Sequence, residues 1–573
     1  MSYVDLEIAF GVLPWDNTTL DVATNWTAIP GSDVRAGEYE TSKRSDRFNT
    51  FSAGSAMWTL DNRLRIYDDA FNPSTGAATF DVTGGALEDL WTLASHTFAV
   101  GDRVTFSAVG TGAEPYLVDT DYHVVTVNDA NTFQLSATLN GAVLAGTGSD
   151  SSGTWTIGRV NHFGNFKRNT PTRVIGKHAI GAATFDVTGG ASEDLWTLTA
   201  HGMAVGQRIQ FSAVGTGAEG YAVDTDYYVV AAADANTFQL SATLGGAVLA
   251  GTGSDSSGTW TVTRMECQWY GYVTSWQVQQ QDAFESVTVA QCVDGLGLLA
   301  QYDLAPITSA HAGDTAGARI GRVLDDFGHP SSYRELDVGT DLLATTFGEN
   351  ALRHIAKVAD SDGGFFYAQR DGTLVFDSLI ALTDTRQTTS QVTLSHDTNP
   401  RYLALRRAAV GRGFRDLVRI GRTGGTVQEV DGSAANAAPV VYQRTSQLMN
   451  RDAKALSLAN FYSDLYGTEA SHINRVDFLY NTVNAPAHNS ELFMRKLRDR
   501  VTAEVEPVGA APDVSNQLYI DGIRGRFGGG RWTGSFTLSS ADAYDNNLSA
   551  APSAWMILGT VTTSELAVGK LGY

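Results

Sequence analysis

Two pairs of carboxylates are the groups in this sequence that could most directly take part in chemistry. Residues 119–121 read Asp-Thr-Asp, and residues 224–226 repeat the same triplet. Carboxylates at this spacing could serve the acid and base steps of a glycosidase, or they could bind a cation. Acidic residues that form a turn just before Tyr122 and Tyr227 are the simpler interpretation. We therefore predict a turn at each position and not a catalytic site.

Other signatures of catalysis or metal binding are missing from the sequence. There is no His-Glu-x-x-His, Cys-x-x-Cys, Gly-x-Ser-x-Gly or Gly-x-x-x-x-Gly-Lys pattern, and the 11 histidines are scattered. Residues 360–364 resemble the start of a calcium loop without its distal glutamate, so we interpret them as the turn that ends a helix. Cys267 and Cys292 lie in apolar runs, which favours buried thiols over a single disulfide bridge. We expect a protein that is not an enzyme and needs no cofactor.

A cluster of arginines stands out in a chain whose net charge is −22. The guanidinium group suits bidentate pairing with carboxylates of a partner, so a subunit interface is one hypothesis for these residues. An exposed strand face that nearby acidic residues balance is the simpler alternative. The interface hypothesis names Arg406, Arg407, Arg412, Arg415, Arg419 and Arg422.

Aromatic residues recur at matching positions of two similar segments. Trp91 corresponds to Trp196, and Tyr122 corresponds to Tyr227. If their rings are exposed they can stack on sugars, which makes these four residues candidates for glycan contact. A small β-barrel also needs aromatic residues in its core, and we favour this second interpretation.

The segments that carry these aromatics are two copies of one block. Residues 76–160 and 181–265 align without a gap and match at about four of every five positions. Short apolar runs separated by tight turns predict a small β-barrel or sandwich of five or six strands in each copy. Nine acids oppose two arginines in the first copy and eight oppose two in the second, so the copies carry charges of −7 and −6. This acidic balance argues against sequence-specific nucleic-acid binding.

The rest of the chain reads as one scaffold into whose surface loops the two copies are inserted. Apolar and polar residues alternate in short runs between turn residues, which is typical of antiparallel strands. Residues 170–175 and 268–273 together predict a hairpin whose tip has been opened to accept the second copy. Amphipathic spacing predicts helices over 315–327, 350–360 and 453–466.

These elements predict a mainly β, multi-domain fold of barrels or sandwiches with a small α+β part and two small inserted all-β domains. No apolar run approaches the roughly 18–20 residues that cross a bilayer, and no signal peptide is recognisable, so we expect a cytosolic chain where it is made. The predicted domains are a discontinuous N-terminal β domain (1–75, 161–180 and 266–305), the two inserted copies (76–160 and 181–265), an α+β domain (306–400) and a C-terminal β-rich domain with one helix (401–573).

A series of short motifs runs through the scaffold in order. They are Trp26 with Val34-Arg35 and Gly37-Glu38; Leu60-Asp61-Asn62 with Asn72-Pro73; Trp269-Tyr270-Gly271-Tyr272-Val273; Cys292-Val293-Asp294-Gly295; the helix end at 323–330; Gly364-Phe365-Phe366 with Asp371-Gly372; and Ile523 with residues 532–538. In this order the motifs resemble minor tail proteins of long-tailed, siphovirus-type phages of actinobacterial hosts. The resemblance covers most of the scaffold. The two inserted copies depart from it and look like a β-module that recurs in phage virion proteins.

The resemblance implies a baseplate or tail-tip hub protein whose β-barrel domains close the tail tube. It implies as partners further copies of the chain, commonly in a trimeric ring, together with the tail tube or distal tail protein and the tape measure. The expected location is the virion tail tip after assembly in the host cytoplasm, with the inserted copies projecting outward. The alternative hypothesis is a receptor- or glycan-binding tail protein in which the duplicated modules recognise the host surface.

Overall fold

Paired strands make up most of the computed structural model of this chain. Within the described residues there are 29 strands and five α-helices, so the mainly β fold class is confirmed. None of the helices in that part of the chain is long and apolar enough to cross a membrane. The described residues are 4–10, 12, 14, 26–29, 31, 33–44, 51–62, 76–81, 90–96, 98, 100, 103–108, 116–117, 120–137, 141–144, 155–159, 168–186, 194–213, 220–249, 260–280, 286–304, 313–344, 349–379, 385–396, 400–407, 415–431, 439–466, 473–480, 491–505, 514–528 and 531–541.

Two compact units make up the chain. The smaller unit comprises Leu60–Phe166 and Trp276–Val289 and contains the first copy of the repeat. The larger unit comprises Met1–Thr59, Lys167–Ser275 and Ala290–Tyr573 and contains the second copy. The two copies therefore belong to different units in spite of their similar sequences.

The first copy forms a closed six-stranded barrel, which confirms the predicted small barrel. Its strands are β5 (Gly76–Asp81), β6 (Leu90–Thr92), β7 (Arg103–Ala108), β8 (Asp121–Val127), β9 (Thr132–Ser136) and β10 (Trp155–Arg159). Around the barrel their order is β5-β6-β9-β8-β7-β10, and β10 pairs with β5 to close the ring.

The second copy closes a ring of strands in the same cyclic order. Its strands are β11 (Thr170–Asp186), β12 (Leu195–Thr197), β13 (Arg208–Ala213), β14 (Tyr227–Ala232), β15 (Thr237–Ser241) and β16 (Trp260–Gln280). The pairs β11–β12, β12–β15, β15–β14, β14–β13, β13–β16 and β16–β11 complete the ring. Phe185 lies opposite Trp196 as Phe80 lies opposite Trp91, so the register is also repeated.

Each ring is filled by fourteen buried residues at equivalent positions of the two copies. Eleven of the fourteen are identical, and the other three exchange one apolar side chain for another. The exchanges are Phe98 for Met203, Val104 for Ile209 and Ile157 for Val262. Swaps of similar volume are tolerated in close-packed cores, which explains how the two cores have kept one architecture.

The strands that carry the second copy are unusually long. β11 has 17 residues and β16 has 21, and they pair antiparallel from Thr170 opposite Val273 to Ala183 opposite Trp260. The predicted hairpin is therefore confirmed. Both strands run without a break from the scaffold into the module, so the module is a continuation of the hairpin.

Strands from both ends of the sequence share the main sheet of the scaffold. The N-terminal strands are β1 (Val4–Ile8), β2 (Thr27–Ile29), β3 (Val34–Glu40) and β4 (Ser55–Asp61), and β17 (Ser286–Val293) follows the second copy. The C-terminal strands are β21 (Thr393–Leu394), β22 (Ala404–Arg407), β26 (Ile473–Leu479), β27 (Arg500–Val505), β28 (Val514–Gly528) and β29 (Arg531–Ser540). β1 pairs with β2 and with β11, whereas β3 pairs with the second half of β28, where Arg524 lies opposite Glu40.

Helices and two three-stranded sheets complete the larger unit. The helices are α1 (Gly295–Leu299), α2 (Ala316–Asp326), α3 (Ala351–Asp362), α4 (Thr385–Thr388) and α5 (Asp452–Tyr466). One sheet contains β18 (Arg334–Leu336), β19 (Phe365–Ala368) and β20 (Leu374–Asp377), and the other contains β23 (Leu417–Arg422), β24 (Gln428–Asp431) and β25 (Val441–Gln447). The apolar side of α5 packs with residues of β23 and β25 in one core.

The three predicted helices are confirmed as α2, α3 and α5. Thr315 and Asn350 cap the first two by accepting backbone hydrogen bonds, and Gly363, with φ of 85°, ends α3. Two of the five residues of α1 are glycines, which disfavour a helix. All five residues of α1 are buried, so tertiary packing overrides this propensity.

Candidate interaction surfaces

The carboxylate pair of the second copy has a structural role. Asp224 has a φ of 54° and lies in the predicted turn. Asp226 accepts a 2.7 Å hydrogen bond from Gln210 Nε2 and lies 3.0 Å from Nε of Arg208. The first residue of the corresponding triplet at 119–121 lies outside the described residues. Within the described part of the chain, no group of three or more His, Cys, Asp or Glu could hold a metal ion.

Of the residues that resemble a calcium loop, 360–362 are the last residues of α3, and Gly363 and Gly364 form the turn that ends it. Asp362 accepts backbone hydrogen bonds from Thr340 at 2.7 Å and from Leu379 at 3.0 Å, and so it joins two neighbouring loops. Cys267 and Cys292 are free thiols. Burial raises the pKa of Cys267 to about 12, so this thiol stays protonated and unreactive at neutral pH.

The arginines of the interface hypothesis are divided between two sheets. Arg406 and Arg407 lie on β22 in the main sheet, where both are exposed, and Arg406 lies 3.7 Å from Asp477. On β23 of a three-stranded sheet, the pairs are Arg419 with Glu429 at 2.6 Å and Arg422 with Asp452 at 2.5 Å. Arg415 is half-buried just before β23, and Arg412 lies outside the described residues. Three of these arginines thus have acidic partners within the chain.

The four aromatic residues proposed for glycan contact lie in the cores of the modules. Trp91 and Trp196 are 0% exposed, and Tyr122 and Tyr227 are 3% and 2% exposed. The hydroxyl oxygen of Tyr122 accepts a 2.8 Å hydrogen bond from the Leu117 backbone, and the equivalent bond to Tyr227 is 2.7 Å. A sugar cannot stack on a buried ring, so these positions do not support glycan contact through the four side chains.

A buried carboxylate that sequence reasoning missed joins the scaffold to the second copy. Glu7 on β1 is 3% exposed, and its Oε2 accepts a 2.5 Å hydrogen bond from Arg173 Nε on β11. Its Oε1 accepts a 2.6 Å bond from Arg208 Nη2 on β13 of the module. The two guanidinium groups outweigh the effect of burial and lower the pKa of Glu7 to about 2. Alternation along β1 would place this acid on a wet face, but Arg208 of the module covers that face.

A second carboxylate, Glu266, makes a similar junction on β16. Its Oε1 lies 2.5 Å from Arg264 Nε and also accepts a short hydrogen bond from Gln207 of the module. Its Oε2 lies 3.2 Å from Nη2 of Arg370, which belongs to the β19–β20 turn of the scaffold. Arg264 in addition donates a 3.1 Å bond to the backbone oxygen of Gly202. The module is thus held at two points by side chains that are largely buried.

Two of the motifs noted in the sequence, residues 269–273 and 292–295, meet in the core of the scaffold. Trp269 packs edge-on against Trp58 with 5.5 Å between ring centroids. A Cβ atom on Gly271 would lie 2.3 Å from the backbone oxygen of Val293 in the next motif, so only glycine fits at this position. Asp294, which follows directly, accepts hydrogen bonds from Ser42 Oγ at 2.6 Å and from the backbones of Gly54 and Gly297 at 2.7 and 3.1 Å.

Another buried carboxylate ties the C-terminal strands to the N-terminal part of the scaffold. Asp521 lies 3.0 Å from Arg44 Nη2 and 2.9 Å from Arg498 Nη1, and both arginine side chains are 0% exposed. The ring of Phe365 lies 4.7 and 4.6 Å from the two guanidinium carbons, within the range of cation–π attraction. The arrangement joins segments that are more than 400 residues apart in sequence.

Comparison with known proteins gives similar structures but no family. No protein-family model and no curated protein sequence matches the chain. The fold is similar to the 43 kDa tail protein of prophage MuSo2 from Shewanella oneidensis, at 9% identity, with 94% of this chain and 99% of that chain covered and a TM-score of 0.42. It is also similar to a tail protein from Neisseria meningitidis MC58, at 11% identity, 63% and 97% coverage and a TM-score of 0.35. A third similar structure is the lidded PdpA–VgrG complex of Francisella, at 7% identity, 94% and 52% coverage and a TM-score of 0.37.

Proposed function

We propose that this chain is a structural protein of a phage tail tip, of the baseplate-hub type. The observation that carries the proposal is that two separate sequence motifs of the minor-tail-protein resemblance, residues 269–273 and 292–295, lie in contact. Gly271 of one motif lies against the backbone of Val293 of the next, and Asp294 ties that second motif to Ser42 and Gly54. Motifs that matched by chance would have no reason to lie in one core. Their convergence supports a resemblance to a shared scaffold.

The polar interior of the scaffold also suits a structural role. Asp294 and Asp521 are buried, and each joins segments that are distant in sequence. Removing one partner of a buried ionic or hydrogen-bonded pair destabilises a protein more than removing one partner of an exposed pair. These pairs therefore favour a single arrangement of the strands. A tail-tip component has to keep its fold under mechanical load, and the buried contacts of Asp294 and Asp521 suit that requirement.

The partners of such a protein are further copies of the chain in a trimeric ring, the tail tube or distal tail protein, and the tape measure. Arg406 and Arg407 on β22 are exposed and are the arginines best placed for a contact between subunits. The duplicated modules project outward in this arrangement. Binding of a host-surface glycan by the modules is a separate hypothesis that the buried rings do not support.

Electron microscopy of phage particles tests the location. An antibody against this chain should label the distal end of the tail, and label on the capsid or along the tube would refute the proposal. Mass photometry of the purified full chain tests the ring, because assembly should give a species of three chains. A glycan array probed with the full chain tests the alternative function. Specific binding to a glycan on the array would support the alternative function, in which this protein recognises the host surface.

A further inference from the structure

The two module copies differ at one of the three positions that contact the scaffold carboxylates. Arginines at 208 and 264 of the second copy correspond to Arg103 and Arg159 of the first, so the positive charges are present in both sequences. Gln207, which donates to Glu266, corresponds instead to an aspartate at position 102. The position of Glu266 itself, just beyond the copy, corresponds to Asn161. The two sequences therefore differ at the contact between residue 207 and residue 266, and they agree at the two arginines.

We propose that the scaffold surface formed by Glu7 and Glu266 is a docking surface selective for the second module. It accepts a barrel that presents a neutral amide at position 207 beside arginines at 208 and 264. This inference does not depend on the tail-tip function. If the surface is selective, the second copy stabilises the N-terminal strands, and the first copy cannot take its place.

The selectivity follows from charge. Glu7 takes two guanidinium groups, Arg173 from the scaffold and Arg208 from the module, so it binds any copy that has the arginine. Glu266 receives the amide of Gln207 within hydrogen-bond distance. An aspartate in that place would put two carboxylates side by side in a largely buried site, where like charges repel strongly. The sequence of the first copy carries that aspartate.

Hydrogen–deuterium exchange of the full chain tests the docking surface. The key comparison is Gln207→Asp with Gln207→Asn, because the two substitutions have the same shape and differ in charge. Exchange at the backbone amides of residues 4–8 and 170–180 should be at least about tenfold faster in the aspartate variant than in the asparagine variant. Exchange in residues 227–241, inside the barrel, should be the same in both.

An exchange of modules provides the stronger version of the test. A chain in which residues 181–265 are replaced by the sequence of residues 76–160 should lose protection in the same two segments. The same chain with glutamine kept at position 207 should regain most of it. Equal exchange in the two point variants would overturn the proposal even if the chimera does not fold. A folded chimera with full protection would also overturn it.

Discussion

Replacement of Glu7 by glutamine removes a buried negative charge that pairs with both Arg173 and Arg208 at the junction between the scaffold and the second copy. The side chain is 4% exposed, so solvent screens the interaction little. A lowering of its pKa from 4.5 to about 2 corresponds to about 3 kcal/mol of stabilisation at neutral pH. Loss of one member of a buried ion pair costs a similar amount, about 3–5 kcal/mol. We expect Glu7→Gln to destabilise the larger unit by about 3 kcal/mol at pH 7.

The pH dependence of this effect has a defined sign. Because the folded state holds the Glu7 carboxylate below its ordinary pKa, the stabilisation is complete above about pH 4.5 and is lost as the pH falls toward 2. The difference in thermal unfolding between wild type and Glu7→Gln should therefore be largest at pH 7 and should shrink below pH 4.5. Glu429→Gln is the matched control, since Glu429 pairs with Arg419 but is 48% exposed. It should change stability by less than about 1 kcal/mol. Equal effects of the two substitutions, or a difference that does not shrink in acid, would refute the reasoning.

Three further predictions concern packing and a buried acid. Trp91→Ala and Trp196→Ala should each destabilise their own barrel by about 3–5 kcal/mol in calorimetry, because each ring lies at the centre of an aromatic core. Gly271→Ala should lower the melting temperature or the soluble yield of the chain, because its Cβ atom would collide with the backbone oxygen of Val293. Burial raises the pKa of Asp294 to about 6, so the folded state binds this proton more tightly than the unfolded state and gains stability as the pH falls from about 7 to 4. Asp294→Asn should remove that gain, which melting curves across this pH range would detect as a flatter profile for the variant.

Local features of this fold could be predicted from the sequence because local signals determine them. The helices α2 and α3 follow from an amphipathic stripe together with the caps Thr315 and Asn350. The barrel of the first copy follows from short alternating runs whose partners lie within one block of 85 residues. The hairpin of β11 and β16 could be predicted only because the two copies of the repeat were recognised and set aside.

Features that depend on distant contacts could not be predicted. Glu7 looks like a solvent-facing acid in an alternating strand, and only the position of Arg208 shows that it is buried. The arginines near residue 410 look like one cluster, yet β22 and β23, which carry most of them, belong to different sheets. The pairing of β3 with β28 could not be predicted, because neither strand's sequence carries a signal that identifies its partner.

The pairing of β3 with β28 also affects how the chain is made. Glu40 leaves the ribosome about 480 residues before Arg524, its partner in the sheet. At 5–20 residues per second, β3 waits for roughly half a minute to a minute and a half without that neighbour. During this time its unpaired edge is open to strands of other nascent chains. The barrel of the first copy needs no residue beyond 159 and can close in that interval. The barrel of the first copy can therefore be complete before the main sheet of the scaffold has all of its strands.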